Sequence, residues 1–207
     1  MSSIAALGDT KEPEHLITEE TEWNCEKQHS DYAITKYGAE MEVWRGFQEE
    51  LDVVIVNPGV IFGYGFSNLG SDLFIEWVKK RIPFYTNGII GIVAVEDVTK
   101  CMIFLMKSAI SGERYTLVCE NCTYKDLFFY IAALLNTKKP FICASKTFTS
   151  IGWRLDWLWS NLTNSKRKLT KSTATSSHAI DKYDTKKIEN ALAISFQKKE
   201  SYLKKII

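Results

Sequence analysis

Residues 52-DVVIVNPG-59 decide the fold class. Val53, Val54, Ile55 and Val56 follow one another with no polar residue at alternate positions, so an extended segment here is apolar on both faces. That pattern fits a strand buried on both sides, as in a parallel sheet, and Asn57-Pro58-Gly59 stops it. Upstream, Ser30 and Asp31 are both good N-caps. Beyond them Tyr32, Thr35/Lys36, Ala39, Val43, Gly46 and Phe47 recur at steps of three and four, predicting a helix that ends near Glu50. A helix feeding a buried strand is half of a βαβ unit.

The same alternation continues downstream. Residues 71-SDLFIEWVKKR-81 predict a short amphipathic helix capped by Ser71, and 82-IPFYTNG-88 a strand and turn. Residues 90-IGIVAVEDVTKCMIFLMKS-108 read as a strand running into a helix, and 114-RYTLV-118 as another strand. In 123-TYKDLFFYIAALLN-136, Thr123 and Asp126 have capping-box spacing, and Leu127, Tyr130/Ile131, Leu134 and Leu135 form an apolar stripe. Residues 145–163 form an aromatic-rich helix whose Trp153 and Trp157, one turn apart, are expected to face the core or an interface, with a membrane-surface helix as the alternative. Shorter helices are expected near 170–179, 184–194 and 200–207, whereas 13–30 reads as a loop. Strands alternating with helices indicate an α/β protein.

Composition narrows the classes. Apolar content of 45% and charged content of 25% over 207 residues suit a globular chain and argue against disorder. No apolar stretch is long enough to span a bilayer, and the N-terminus has no basic n-region, so neither a membrane partner nor a signal peptide is expected. Five cysteines, an odd number, read as reduced thiols in a cytoplasmic protein. Residues 1–100 carry 8 basic and 17 acidic side chains and residues 101–207 carry 18 and 8, so net charges of −9 and +10 divide the chain. Opposite solvated faces explain this, and so does a basic C-terminal lobe that attracts an anionic ligand. The only dense basic cluster is 166-KRK-168, too little to indicate nucleic acid.

Tyr32 and Lys36 lie at i and i+4, one face of a helix. A phenol titrates near 10, too high to exchange protons well at neutral pH, and a neighbouring ammonium favours the phenolate. Such a pair suits carbonyl reduction or alcohol oxidation, where a proton moves as hydride is transferred. Two other motifs carry less. Cys119 and Cys122 have C-x-x-C spacing, but no second pair or nearby histidine completes a zinc set, so no metal is expected. The glycines of 59-GVIFGYG-65 imitate a phosphate loop, yet they follow the Tyr-Lys helix and suit a tight loop better.

Taken together, SSIAALG at 2–8, YAITKYGAE at 32–40, VVIVNPGVIFGYG at 53–65, PFYTNG, IVAVEDVTKCM and RYTLVCENCTYKDLF are colinear over nearly the whole chain. In this order they resemble the extended short-chain dehydrogenase/reductases, in the NAD-dependent epimerase/dehydratase and dihydroflavonol-reductase-like branch. The resemblance implies the C-terminal part of a Rossmann-like doubly wound sheet plus a small α/β substrate lobe. The boundaries it implies are 1–66 for the remainder of the Rossmann-like domain and 67–207 mainly for the lobe, with about 90–108 returning to the first. Tyr32 would be the acid/base, Lys36 its helper and a ribose ligand, and Ser3 the residue orienting a substrate carbonyl, with Ser2 the alternative if the register shifts. The backbone of Pro58, Gly59 and Val60 would lie against the nicotinamide of NAD or NADP. Asn57 occupies a variable position, and Asp97 begins a helix in a structural role. A small carbonyl/alcohol or nucleotide-sugar substrate and a homodimer through the active-site helix are further implications. The family's glycine-rich cofactor turn comes before the SSIAALG element and is not among these residues. A chain with no turnover of its own, serving as a binding or interaction module, is therefore the alternative.

Overall fold

The computed structural model describes residues 1–9, 16–64, 70–165, 167 and 169–207. A short 3-10 turn, Ile4–Ala6, comes first, followed by α1 (Asp31–Gln48), β1 (Val54–Pro58), β2 (Val60–Phe62) and α2 (Asp72–Lys79). Next are β3 (Phe84–Tyr85), β4 (Ile89–Ala94), α3 (Val95–Lys107), β5 (Glu113–Leu117), β6 (Glu120–Thr123) and α4 (Tyr124–Leu134). The chain closes with β7 (Ile142–Cys143), α5 (Lys146–Thr163), α6 (Lys171–Ser176), α7 (Lys186–Leu192) and α8 (Lys199–Ile206). Two compact units emerge: residues 1–72, 91–121 and 181–207 form one, and 73–90 with 122–180 the other.

In the first unit, β1 pairs in parallel with β5, from Val54 opposite Glu113 to Pro58 opposite Leu117. Every residue of β1 after Val54 is buried, as a run apolar on both faces requires. β2 pairs in parallel with β4, and β6 extends that sheet in the order β2-β4-β6. The core joins Val56, Tyr115 and Leu117 of β1 and β5 to Val98, Cys101 and Leu105 of α3 and Ile188 of α7. At Gly59, just past β1, a Cβ would collide with the carbonyl of Gly91, so a glycine is needed for the backbones to approach. Asp97 is buried and accepts from the backbone and side chain of Gln197, a bond between helix α3 and the C-terminal segment.

The second unit packs α2 on α4 through rings. Trp77 stacks on Phe128 at 6.3 Å between centroids, and Ile75, Val78, Leu127 and Ile131 are buried beside them. Thr123 caps α4, accepting from the Asp126 backbone and donating to its carboxylate. The inward face is Leu127, Phe128, Ile131 and Ala132, so Leu134 and Leu135 of the expected stripe fall outside it. β3 and β7 pair in parallel.

Two expected faces differ from those observed. α1 starts at its Ser30 cap as predicted, but it buries Ala33 and Glu40, while Tyr32, Ala39, Val43 and Phe47 are exposed. The carboxylate turns inward because two polar partners wait for it. α5 buries only Ser160, so its tryptophans belong to no core, and Trp157 is exposed. Lys166 and Lys168 of the basic cluster, Gly65 of the glycine motif and residues 13–15 of the expected loop lie outside the described residues.

Candidate functional site

Helix α1 carries the predicted pair. Its Ser30 cap accepts from Ala33 N at 3.1 Å, which fixes the first turn where Tyr32 sits. The Lys36 ammonium lies 5.8 Å from the centre of the Tyr32 ring, within range of a cation–π contact. Tyr32 is 56% exposed and Lys36 half-buried, so the ring and ammonium form an accessible pair on one helix face.

One turn beyond Lys36, the line of side chains enters the interior at Glu40. Its Oε1 accepts from Asn57 Nδ2 of β1 at 2.5 Å, and its Oε2 faces Arg114 of β5 at 3.5 Å. The same Asn57 amide donates to the Ser3 carbonyl at 2.9 Å. Asn57 thereby ties the 3-10 turn bearing Ser3 to the helix bearing Tyr32 and Lys36. Arg114 also donates to the Glu19 carbonyl, and the Glu19 carboxylate accepts from Thr116 N at 2.6 Å. The loop before α1 is thus pinned to β5, and Trp23 stacks on Tyr37 at 4.3 Å and on His29 at 3.8 Å.

Ser3 caps the 3-10 turn, its Oγ accepting from Ala5 N at 3.2 Å. An oxygen held in this way can still donate its own hydrogen, the half of the hydroxyl that a carbonyl requires. Ser2 is placed differently: its N–H donates to Val56 O at 2.8 Å, while its Oγ is buried with no partner among the described residues. Gly59 N donates to Leu117 O, so the Pro58–Val60 link is held to β5.

A cavity of about 520 Å³ opens between residues 19–23 and the Tyr37, Met41 and Trp44 side of α1, with Arg114 at its wall. It is not the space next to Tyr32 and Lys36. At ~100° per residue Lys36 and Tyr32 lie roughly 100° and 140° around the helix from Tyr37. The buried line of Ala33 and Glu40 runs between them.

Sequence reasoning missed Glu19, Glu40 and Arg114 and gave Asn57 little weight. Their one readable signal is spacing: Tyr32, Lys36 and Glu40 form an i, i+4, i+8 series. Neither C-x-x-C residue is joined in a disulfide. Burial pushes Cys119 up to about 11, and the Tyr202 hydroxyl 3.5 Å away lowers it only in part, so no reactive thiolate is favoured. Within the 59–65 glycine motif, Val60–Phe62 form strand β2, and a Cβ on Gly63 would press into Val95. Among the described residues no helix is long and apolar enough to cross a membrane.

No family model matches the chain. It is 29% identical over 113 residues to sterol demethylase protein B of Methylococcus capsulatus, covering 54% of this chain and 34% of that protein. It is 26% identical over 145 residues to a Synechocystis protein carrying the name dihydroflavonol 4-reductase, covering 67% of this chain and 42% of the other. The chain therefore spans less than half the length of the curated relatives it matches. Among solved structures it superposes on a nucleoside-diphosphate-sugar epimerase from Pseudomonas aeruginosa with a TM-score of 0.78 at 18% identity, over 99% of this chain and 63% of the epimerase. Matched dehydratase and epimerase structures include complexes with NAD, and another matched structure holds NADPH. The chain has the Rossmann-like α/β fold of these epimerase and dehydratase structures, over about 60% of their length.

Proposed function

We propose that this chain is the acid/base-bearing part of a nicotinamide-dependent oxidoreductase of the extended short-chain dehydrogenase/reductase type. The observation that carries the reading is the Lys36 ammonium over the accessible Tyr32 ring, on a helix locked by Glu40 and Asn57 to the turn of Ser3. In this reading residues 1–66 complete the nucleotide domain, 67–207 mainly build the substrate lobe, and about 90–108 return to the first.

The residues present suit the nicotinamide-ribose end of NAD or NADP: an accessible phenol and a half-buried ammonium share one helix face. The resemblance puts the glycine-rich phosphate turn ahead of Ser2 in chain order, so the pyrophosphate end has no assigned residue here. When bound, the dinucleotide supplies or accepts hydride. Tyr32 moves the proton at the substrate oxygen, giving it to a carbonyl or taking it from an alcohol. Lys36, whose ammonium lies over the Tyr32 ring, would bind the ribose hydroxyls. Ser3 would donate to the substrate oxygen and set its direction, while the Pro58–Val60 backbone would help hold the nicotinamide.

Simple carbonyl reduction is the preferred chemistry, since no pair of carboxylates suited to a dehydratase stands beside Tyr32 in sequence. A small carbonyl or alcohol is the substrate class, and a nucleotide sugar is the alternative. Turnover tests the assignment: NADH or NADPH consumption by the purified chain is followed against a panel of aldehydes and ketones. Tyr32→Phe is expected to lose roughly 10²- to 10⁴-fold. Full turnover by that variant removes the catalytic role.

The second reading is a chain without turnover of its own that pairs with another polypeptide. Exposed Ile34, Val43 and Phe47 on α1, and Ile103, Phe104 and Met106 on α3, favour it. A cavity of about 330 Å³ lined by Met1, Val54, Met102 and Met106 supports it further. Size-exclusion chromatography coupled to light scattering, together with the turnover assay, separates the two readings.

A further inference from the structure

We propose that α5 is an interfacial helix that lays one face on an anionic lipid bilayer without crossing it. Phe148, Ile151, Leu155, Leu158, Trp159 and Leu162 are each 49% to 75% exposed. At ~100° per residue these six positions fall within an arc of roughly 100°, a single stripe about 22 Å long. The opposite side faces the protein: Ser160 is buried and the half-buried Asp156 accepts from Leu169 N at 3.1 Å. Soluble surfaces scatter single apolar residues, so a continuous stripe of six large ones requires a covering partner.

Charge identifies that partner. The unit containing α5, residues 73–90 and 122–180, holds 12 basic and 3 acidic side chains, a net charge of +9. Arg154, three residues after Ile151 and four before Leu158, borders the stripe, and Lys146, Arg167 and Lys171 are exposed on or just beyond the helix. The helix's one carboxylate, Asp156, is turned inward, so nothing acidic competes on the exposed side. Two copies brought together through this face would bring like charges into contact, which disfavours a homodimer here. Lys/Arg beside a Trp/Leu/Phe stripe is the composition of helices that sink ~5–10 Å into the headgroup and acyl boundary, and each basic residue adds attraction to anionic lipid.

The test is cosedimentation of the full chain with sucrose-loaded vesicles, of phosphatidylcholine alone or with phosphatidylserine, alongside tryptophan emission. Binding to the phosphatidylserine vesicles with a blue shift, weaker by tenfold or more on phosphatidylcholine, is the expected result. The exposed-site double variant Leu155→Glu/Leu162→Glu is expected to lose at least tenfold in partitioning while its circular dichroism and thermal midpoint stay unchanged. Arg154→Glu, which leaves the stripe intact, should lower binding to the anionic vesicles alone. Wild-type chain remaining in the supernatant with both vesicles overturns the proposal. Equal binding to both overturns its anionic component. A dimer that the double variant converts to monomer, without vesicle binding by the wild type, assigns the stripe to a second copy instead.

Discussion

The bond between Glu40 and Asn57 is the join on which the placement of Tyr32, Lys36 and Ser3 depends, and a double-mutant cycle measures it. Glu40 is 2% exposed, with Asn57 Nδ2 at 2.5 Å and Arg114 at 3.5 Å. Glu40→Ala removes a hydrogen bond to a charged group, worth about 1.5–3 kcal/mol. It also removes one buried methylene at about 0.8 kcal/mol, while relief of carboxylate burial offsets part of the loss. A net loss of about 1.5–3.5 kcal/mol follows. Asn57→Leu should cost more, about 3–5 kcal/mol, because the carboxylate stays buried with only the longer Arg114 contact. The double variant should fall short of the sum by about 1–3 kcal/mol. Arg45→Ala serves as a control: it breaks the exposed Glu42 and Glu49 pairs and should cost below about 1 kcal/mol. Urea unfolding with an unchanged m-value reads each difference. Additive losses, or a Glu40→Ala loss as small as that of Arg45→Ala, would refute the reasoning.

Two further outcomes follow from titrating groups. Cys25 and Cys143 are exposed, whereas burial pushes Cys101 and Cys119 up to about 11. At pH 8 only about a thousandth of such buried thiols is thiolate, so iodoacetamide with mass spectrometry should label Cys25 and Cys143 first; early labelling of Cys119 would contradict this. His178 is held below its ordinary value by burial and then by Lys146, and its Nε2 lies 2.9 Å from Thr149 Oγ1. Its folded form therefore resists protonation. The unfolded chain takes the proton first as pH falls through about 6.5, so this contribution is intact above that pH and lost below it. Thermal midpoints between about pH 5 and 8 should fall on the acid side, and His178→Gln should flatten the decline. An unchanged slope would sink the argument.

What sequence reveals here depends on how local the cause is. The β1 run is legible because being apolar on both faces is a property of adjacent residues, and α4 because Thr123 and Asp126 cap it within one turn. Strand β6 is not, since Glu120–Thr123 is short and largely polar and is ordered by its neighbours in the sheet. The inward face of α1 is hidden for a similar reason. Glu40 turns in for Asn57 and Arg114, partners 17 and 74 residues away, whereas Ala39 has the apolar character that the pattern seeks. On α5 the Trp153/Trp157 pair is legible, but not the exposed stripe from Phe148 to Leu162 on another side of the helix, because periodicity locates a face without saying whether protein or solvent lies against it. Tyr32 and Lys36 are legible as a pair, while the polar tie that holds them to Ser3 requires the fold.

The proposal that these residues serve a nicotinamide cofactor is tested most directly by titrating the purified chain with NADH and NADPH, following reduced-nicotinamide fluorescence and the thermal midpoint. A saturable change is predicted. Lys36→Ala should weaken it by roughly tenfold, the loss of one charge-assisted hydrogen bond worth about 1.5 kcal/mol. No change in fluorescence or midpoint with either nucleotide would contradict an autonomous enzyme and leave the chain as a binding module.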